Sequence, residues 1–190
     1  MRPVVTPPSA PRGAMPPLDV DPSIVERILP HRRPFLFVDR VTHYRGGPRP
    51  ELRATRAIDA ADPILAGHFP GAPIWPGVLT IEGMGQASAL LATIAAVDAA
   101  EPDRARDDLV ARLAHVGLLP LVGLGAAVDV KLTAPVAGGD TLTYEVELTH
   151  RMDALARFEV RARVGGREVA RGSMTGVFRG LDDISARGGR

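Results

Sequence analysis

The stretch from Gly67 to Gln86 holds two side chains and one backbone amide of the types that acid–base chemistry needs. His68 sits in a loop crowded with proline and glycine, Gly67-His68-Phe69-Pro70-Gly71-Ala72-Pro73-Ile74-Trp75-Pro76-Gly77. An imidazole exchanges protons near neutral pH and suits a general base. Glu82 follows fourteen positions later, the only acid in an apolar run from Pro76 to Val97. Either protonation state is open to a carboxyl on such a helix, so it can act as an acid or hold a water. The Gly77 amide falls at the expected helix start, where unpaired N–H groups and the helix dipole favour a developing anion. Base, acid or water-holder, and oxyanion donor together suit proton removal next to a thioester carbonyl. No metal is required: neither residue has neighbours at ligand spacing, and cysteine is absent. Each group also has a plainer reading. A loop histidine can be a structural hydrogen-bonder, and a lone glutamate can pair with arginine or line an interface. Spacing alone does not bring the two together in space.

Positioning these groups falls to the helix and its cover. Pro76 and Gly77 suit a helix start, and about 20 apolar residues follow. That length could span a bilayer. Glu82 near one end and the lack of flanking basic clusters argue for a buried core helix instead. Gly83, Gly85, Ala87, Ser88, Ala89 and Ala92 are small, which lets a sheet wrap closely. Each glycine weakens a helix by up to about 1 kcal/mol against alanine, so close packing is expected to require them. Upstream, Asp21-Pro22 caps a short helix whose apolar face is Ile24, Val25, Ile28 and Leu29. Phe35–Tyr44 and Glu51–Ile58 read as strands around a Gly46-Gly47-Pro48 turn. Downstream, Asp98–Arg106 reads as a loop and Asp107–His115 as a short helix. Leu118–Leu132 reads as a strand bent by Pro120, Gly123 and Gly125. Thr141–His150 alternates cleanly, and Ala156–Val164 and Glu168–Phe178 flank a Gly165-Gly166 hairpin turn. The fold class is therefore α+β: one antiparallel sheet wrapped around one long central helix.

A chain of 190 residues with 45% hydrophobic and 24% charged residues fits one soluble domain. Residues 1–20 hold six prolines and read as a flexible arm, residues 21–180 as the domain, and residues 181–190 as a flexible tail. The net charge of +1 and the 4% aromatic content point away from nucleic acid and membrane partners. The start lacks the charged and apolar regions of a secretory signal, and a cytoplasmic location is expected.

Two long motifs carry a resemblance. Gly67-His68-Phe69-Pro70-Gly71-x-Pro73-Ile74-x-Pro76-Gly77-Val78-Leu79-x-Ile81-Glu82, with Gln86 one turn on, resembles the signature of 3-hydroxyacyl-[acyl-carrier-protein] dehydratases of the hot-dog superfamily. Ile28-Leu29-Pro30-His31-Arg32-x-Pro34-Phe35-Leu36-x-Val38-Asp39-Arg40-Val41 is a second match. Val130-Lys131-Leu132 through Pro135-Val136 to Gly139-Asp140-x-Leu142 is a shorter third. The resemblance implies a single hot-dog fold and a homodimer with shared active sites, which in that family is often assembled further into a trimer of dimers. It implies His68 of one chain as the base and Glu82 of the other as the group holding the departing hydroxyl. It implies the Gly77 amide at the thioester carbonyl, and a substrate tunnel that would involve Phe69, Trp75 and Gln86. The product would be a trans-2-enoyl thioester in fatty acid or related lipid or polyketide synthesis. No cofactor is implied beyond the phosphopantetheine that carries the substrate on an acyl carrier protein. Arg104, Arg106, Arg161, Arg163 and Arg167 are candidates to steer that partner. His31 is expected to be structural, and His43, His115 and His150 to be surface or packing residues.

Four departures from the family pattern bear on specificity. Trp75 replaces a smaller apolar residue, either lining the tunnel or anchoring packing at the dimer interface. Gly83 and Gly85 replace alanines, which would widen space near Glu82. Gly138 replaces proline, and residues 98–116 form a longer link than usual. A hot-dog acyl thioesterase, an enoyl-CoA hydratase and a non-catalytic hot-dog partner subunit are the alternatives. Retention of both His68 and Glu82 argues against the last.

Overall fold

The computed structural model describes residues 13–101, 105, 108–116 and 124–177. The elements in chain order are β1 (Pro17–Val20), α1 (Pro22–Ile28), β2 (Arg40–Arg45), β3 (Glu51–Ala57), α2 (Pro63–Gly67), α3 (Gly77–Ala100), α4 (Leu109–His115), β4 (Leu124–Leu132), β5 (Thr141–Met152), β6 (Leu155–Val164) and β7 (Arg167–Val177). The strands form one seven-stranded sheet in the order β1-β2-β3-β5-β6-β7-β4, every pair antiparallel. Alternation sorts its residues: Leu52 and Ala54 of β3, Leu142, Tyr144 and Val146 of β5, and Phe158, Val160 and Ala162 of β6 are buried. They meet Met84, Ala87, Leu90, Leu91 and Ile94 of α3, which are fully buried as well. Each such leucine or isoleucine contributes roughly 1.5–3 kcal/mol of burial free energy. α3 is long and apolar enough to cross a membrane, yet here it is the core helix of the sheet.

The sheet approaches α3 so closely that glycine is required at Gly83. A Cβ at Gly83 would collide with the hydroxyl of Tyr144 and lie 2.5 Å from its Cζ. The expectation that Gly83 opens space near Glu82 is therefore corrected: Tyr144 fills it. Burial pushes this phenol far above the usual tyrosine range, so it stays protonated. Gly85 differs, since a Cβ there would meet only Met174 Cε at 3.4 Å. Gly138 has its own cause. A Cβ there would stand 2.8 Å from the Ala60 Cα, so a proline would collide with the loop before α2.

Several boundaries move from the sequence reading. The strand expected from Phe35 begins only at Arg40. Before it, the Phe35 carbonyl and the Phe37 N–H bond the side-chain amide of Gln86 rather than a neighbouring strand. β1 takes Pro17–Val20 out of the proline-rich arm, pairing Pro17 with His43 and Val20 with Val41 on the sheet edge, where a proline is tolerated. α3 continues past Val97 into the expected loop, and its Asp98 accepts from the Tyr44 hydroxyl at 2.9 Å. α4 matches the short helix expected before His115, with Leu109 and Leu113 buried. The bend expected in the strand after it corresponds to a register shift between Gly125 and Ala127 of β4. The beginning of the arm, residues 1–12, lies outside the described residues, as do residues 118–123, Phe178 and the tail.

One inward charge is held by a knot. Arg56, on β3, is buried and donates to Asp39 Oδ1 at 2.9 Å; Arg33 donates to the same oxygen at 2.7 Å and the Ala57 N–H to Oδ2 at 2.8 Å. Burial pushes the Asp39 carboxyl up, but the Ala57 amide and the two guanidiniums outweigh it and hold it below its ordinary value. Because folding lowers this pKa, the stabilisation is full above the unfolded value of about 3.9 and is lost as pH falls through the folded one. Asp39→Asn is expected to cost roughly 2–4 kcal/mol in urea unfolding at neutral pH, because it leaves Arg56 buried and unneutralised. The variant also loses some of the acid limb of the wild-type stability profile below about pH 4. Gly83→Ala is expected to lower stability by roughly 1–3 kcal/mol despite alanine's helix preference. In a Tyr144→Leu background the same change becomes neutral or stabilising, which thermal melts of the four proteins will show.

Candidate active site

His68 ends α2. Asp62 caps that helix by accepting from the Ile64 N–H at 3.0 Å, and the His68 N–H closes it onto the Leu65 carbonyl. The loop then folds back on itself. Phe69 and Ala72 exchange two backbone hydrogen bonds around Gly71 (φ +80°), and the Ile74 N–H donates to the His68 carbonyl at 2.8 Å. His68 Nδ1 lies 2.8 Å from the Ile74 carbonyl oxygen, which can only accept. Nδ1 therefore carries a proton, and in the neutral ring Nε2 is the free base. The Phe69 ring stacks on the imidazole at 4.1 Å between centroids. Trp75 anchors the loop's far end: its backbone N–H donates to the Val136 carbonyl, and its buried ring meets the edge of Phe37. Trp75 is thus packed within its own chain, and it also lines the cavity beside His68.

The loop delivers the chain into α3 at Gly77. Pro76 makes no side-chain cap, so the Gly77 amide has no acceptor among the described residues, as a first-turn amide of an uncapped helix must. Gly77 also packs against β4, where a Cβ would strike the Leu132 side chain. His68, Trp75, Gly77, Thr80 and Leu132 line one cavity of about 240 Å³.

Glu82, a third exposed, opens onto a different cavity of about 380 Å³. Gln86 Nε2 donates to Glu82 Oε1 at 2.9 Å and to the Phe35 carbonyl at 2.9 Å, while Gln86 Oε1 accepts from the buried Phe37 N–H at 2.8 Å. The resemblance implies Gln86 in the tunnel wall. It does line this cavity, and its amide is also the clamp that orients Glu82. Val78, Ile81, Gly85 and Ala89 continue the same stripe of α3, with Val128, Phe158 and Met174 opposite. Among the described residues, His68 and Glu82 line two different cavities. They share a wall: Leu132 borders the first cavity and Val128 the second, four residues apart on the edge strand β4.

Sequence reasoning misses the place of His31. Its Nε2 lies 3.5 Å from Glu82 Oε1, it lines the Glu82 cavity, and its Nδ1 is buried without a partner. No local signal announces it: the contact depends on Gln86, one helical turn from Glu82, binding Phe35, four residues from His31. Phe69 borders neither cavity of one chain and is 55% exposed. Of the candidate arginines, Arg163 is held by Glu145 and the Gly166 carbonyl, and Arg167 by the Pro135 carbonyl. Arg161 is exposed, and Arg104 and Arg106 lie outside the described residues. His43 bonds Thr42 and is held below its usual pKa by burial and then by Arg53. His115 and His150 are exposed.

A sheet wrapped around a buried central helix, with a histidine loop at that helix's start and a glutamate on its first turns, defines a hot-dog protein of the acyl-thioester-processing kind. Residues 29–173 match the FabA-like domain, and the chain belongs to that family. It is 40% identical over 162 residues to the 3-hydroxyacyl-[acyl-carrier-protein] dehydratase FabZ of Anaeromyxobacter sp. (strain Fw109-5), covering 85% of this chain and 90% of that one. It is 34% identical over 155 residues to the protein of the same name from a Nitratiruptor species, covering 81% and 94%. Among solved structures, the dehydratase heterocomplex ApeI:P from Xenorhabdus doucetiae superposes with a TM-score of 0.58 at 15% identity, over 87% of this chain and 97% of that one, which establishes likeness of fold. The family expected from the two sequence motifs is the family that matches.

The clamp has a measurable consequence. Gln86→Leu leaves the buried Phe37 N–H unpaired and should cost roughly 1–3 kcal/mol in urea unfolding. Glu82→Gln keeps both main-chain bonds of Gln86 and should stay within about 1 kcal/mol of the parent.

Proposed function

We propose that the chain is a 3-hydroxyacyl-[acyl-carrier-protein] dehydratase of fatty acid or related lipid synthesis, acting in the cytoplasm as a homodimer with shared active sites. The observation that carries this reading is the His68 Nδ1 contact to the Ile74 carbonyl, which leaves Nε2 as a base. His68 Nε2 takes the α-proton of the thioester. The electrons form the C2–C3 double bond as the C3–O bond breaks, and the hydroxyl leaves as water with a proton from Glu82. The Gly77 amide donates to the thioester oxygen as negative charge develops there. The names borne by the relatives support this chemistry and the carrier-bound substrate. Phosphopantetheine on the carrier is the only prosthetic group the reaction uses.

Sharing of sites is supported by the two separate cavities and by β4. This strand is a sheet edge, and its Val128 and Leu132 are half exposed, although they border the two cavities. A second copy seated on β4 would bring its Glu82 to the His68 of the first. Phe69, exposed beside the imidazole, would then meet the partner, and the acyl chain would run into the apolar cavity beyond Glu82.

His68→Ala and Glu82→Gln are each expected to lower turnover of a 3-hydroxyacyl carrier-protein substrate by about 10²–10⁴-fold without changing the oligomer size. Co-refolding the two variants in equal amounts should restore about a quarter of parental activity, because half the dimers then hold one intact site of two. Recovery of no activity would place His68 and Glu82 in one chain's site. Release of free acid in place of water, seen by mass spectrometry, would mean a thioesterase.

A further inference from the structure

Trp75 is the chain's one tryptophan, and it stands in the wall of the His68 cavity. Its side chain is buried, 2% exposed, and its Nε1–H meets no acceptor among the described residues. A buried indole usually finds a hydrogen-bond partner, because a donor taken out of water and left unpaired is destabilising. Of the buried side-chain polar atoms left unpaired among the described residues, this is the one that belongs to the wall of that cavity.

The surroundings hold the indole and leave it unpaired. The Trp75 backbone N–H bonds the Val136 carbonyl at 2.8 Å, and the ring lies edge-on to Phe37 at 5.9 Å between centroids. Phe37 is itself fixed, since its N–H donates to Gln86 Oε1 at 2.8 Å. The wall's other side chains include Ile74, Leu132, Val136 and Val169, which are apolar. Its Ile74 and Val136 carbonyls already accept from His68 Nδ1 and from the Trp75 main chain. An acceptor for Nε1–H has to arrive with the substrate. His68 and Gly77 line the same cavity, and the substrate atoms that pass between a base and a helix-start amide are the α-carbon and the thioester carbonyl. We propose that Trp75 Nε1–H is a second donor to the thioester oxygen, acting beside the Gly77 amide. A carbonyl oxygen has two lone pairs and accepts from two donors. As the α-proton passes to His68 Nε2, both donors share the negative charge that develops on that oxygen. A donor already fixed by packing needs no reorganisation at that moment. This deepens the dehydratase reading and rests on His68 as its base.

Protein labelled with nitrogen-15 in the indole gives one Nε1–H signal, because Trp75 is the only tryptophan. Titration with the butanoyl thioester of N-acetylcysteamine, which has no 3-hydroxyl to eliminate, should move that proton downfield. The matching thioether, with CH₂ in place of the carbonyl, keeps the amide of the arm and should leave the signal in place when backbone amide shifts show saturation. No shift with the thioester would overturn the proposal. Equal shifts with both compounds would overturn it too, by assigning the contact to the amide. Trp75→Phe keeps an aromatic ring and removes the donor. Its kcat on the 3-hydroxybutanoyl thioester should fall by about 10²-fold with KM within about two-fold, since the donor acts on charge absent from the ground state. Replacing Trp75 with 3-benzothienylalanine keeps the shape of the indole with sulfur in place of the N–H, and should give the same loss. Full kcat in that protein would overturn the proposal even if Trp75→Phe lost activity through repacking. A parent that eliminates no water from any thioester, yet shows the shift with the thioester alone, would sink the dehydratase reading and leave the Trp75 contact standing.

Discussion

A 24-residue helix that is apolar on nearly every side has to be covered, and the covering of α3 governs the rest of the structure. The sheet can curl only around small residues, so Gly83 receives the Tyr144 ring where a methyl group would not fit. The cover is also incomplete. Val78, Ile81, Glu82, Gly85 and Ala89 recur at helical spacing and form the stripe that borders a cavity rather than packed sheet. The one carboxylate in the first five turns stands on that stripe. Burial thus dictates where a carboxylate is allowed on the helix, and the first turn has no side-chain cap.

Inside the covered region one polar layer is built around Gln86, which satisfies it. Its amide accepts one main-chain N–H and donates to one main-chain carbonyl and to Glu82. Three hydrogen bonds fix which way the amide faces and tie the segment before β2 to α3. Through this joint Phe35 and His31, distant in sequence, become walls of the Glu82 cavity. A residue whose motif position suggests tunnel lining thus orients the acid and also closes the fold around it. The Asp39 knot acts in parallel on β3. It lets Arg56 point inward from that strand without an unneutralised charge.

Much of this is legible in the chain. The α3 run, the proline at its start, the Asp21 cap and the Gly165-Gly166 hairpin are local signals, and local signals survive folding. The segment 35–39 misleads because its apolar content looks like a strand, whereas its Phe35 carbonyl and Phe37 N–H are satisfied by the Gln86 side chain, 51 and 49 positions away. Pro17–Val20 is hidden within the arm because its proline content masks an edge strand, which needs only one row of hydrogen bonds. Gly83 can be seen as a close-packing glycine, but its occupant cannot, since Tyr144 reaches it only through sheet curvature. The contact of His31 with Glu82 is of the same kind, created by packing between distant segments.

The edge strand β4 borders both cavities. Its inward residues Val128 and Leu132 sit four positions apart, roughly 13 Å along the strand. One borders the Glu82 cavity and the other the His68 cavity. Edge strands with half-exposed apolar residues are normally blunted by charge, by proline or by a covering element. Here the charges Asp129 and Lys131 point to the outer face, and the inner face keeps its apolar character. A strand arranged this way separates its functions by side. Its inner face walls both cavities, its backbone edge is open to pairing, and its outer face carries charge. The two faces can then vary independently along one nine-residue strand, because alternation keeps the residues of one face out of contact with those of the other.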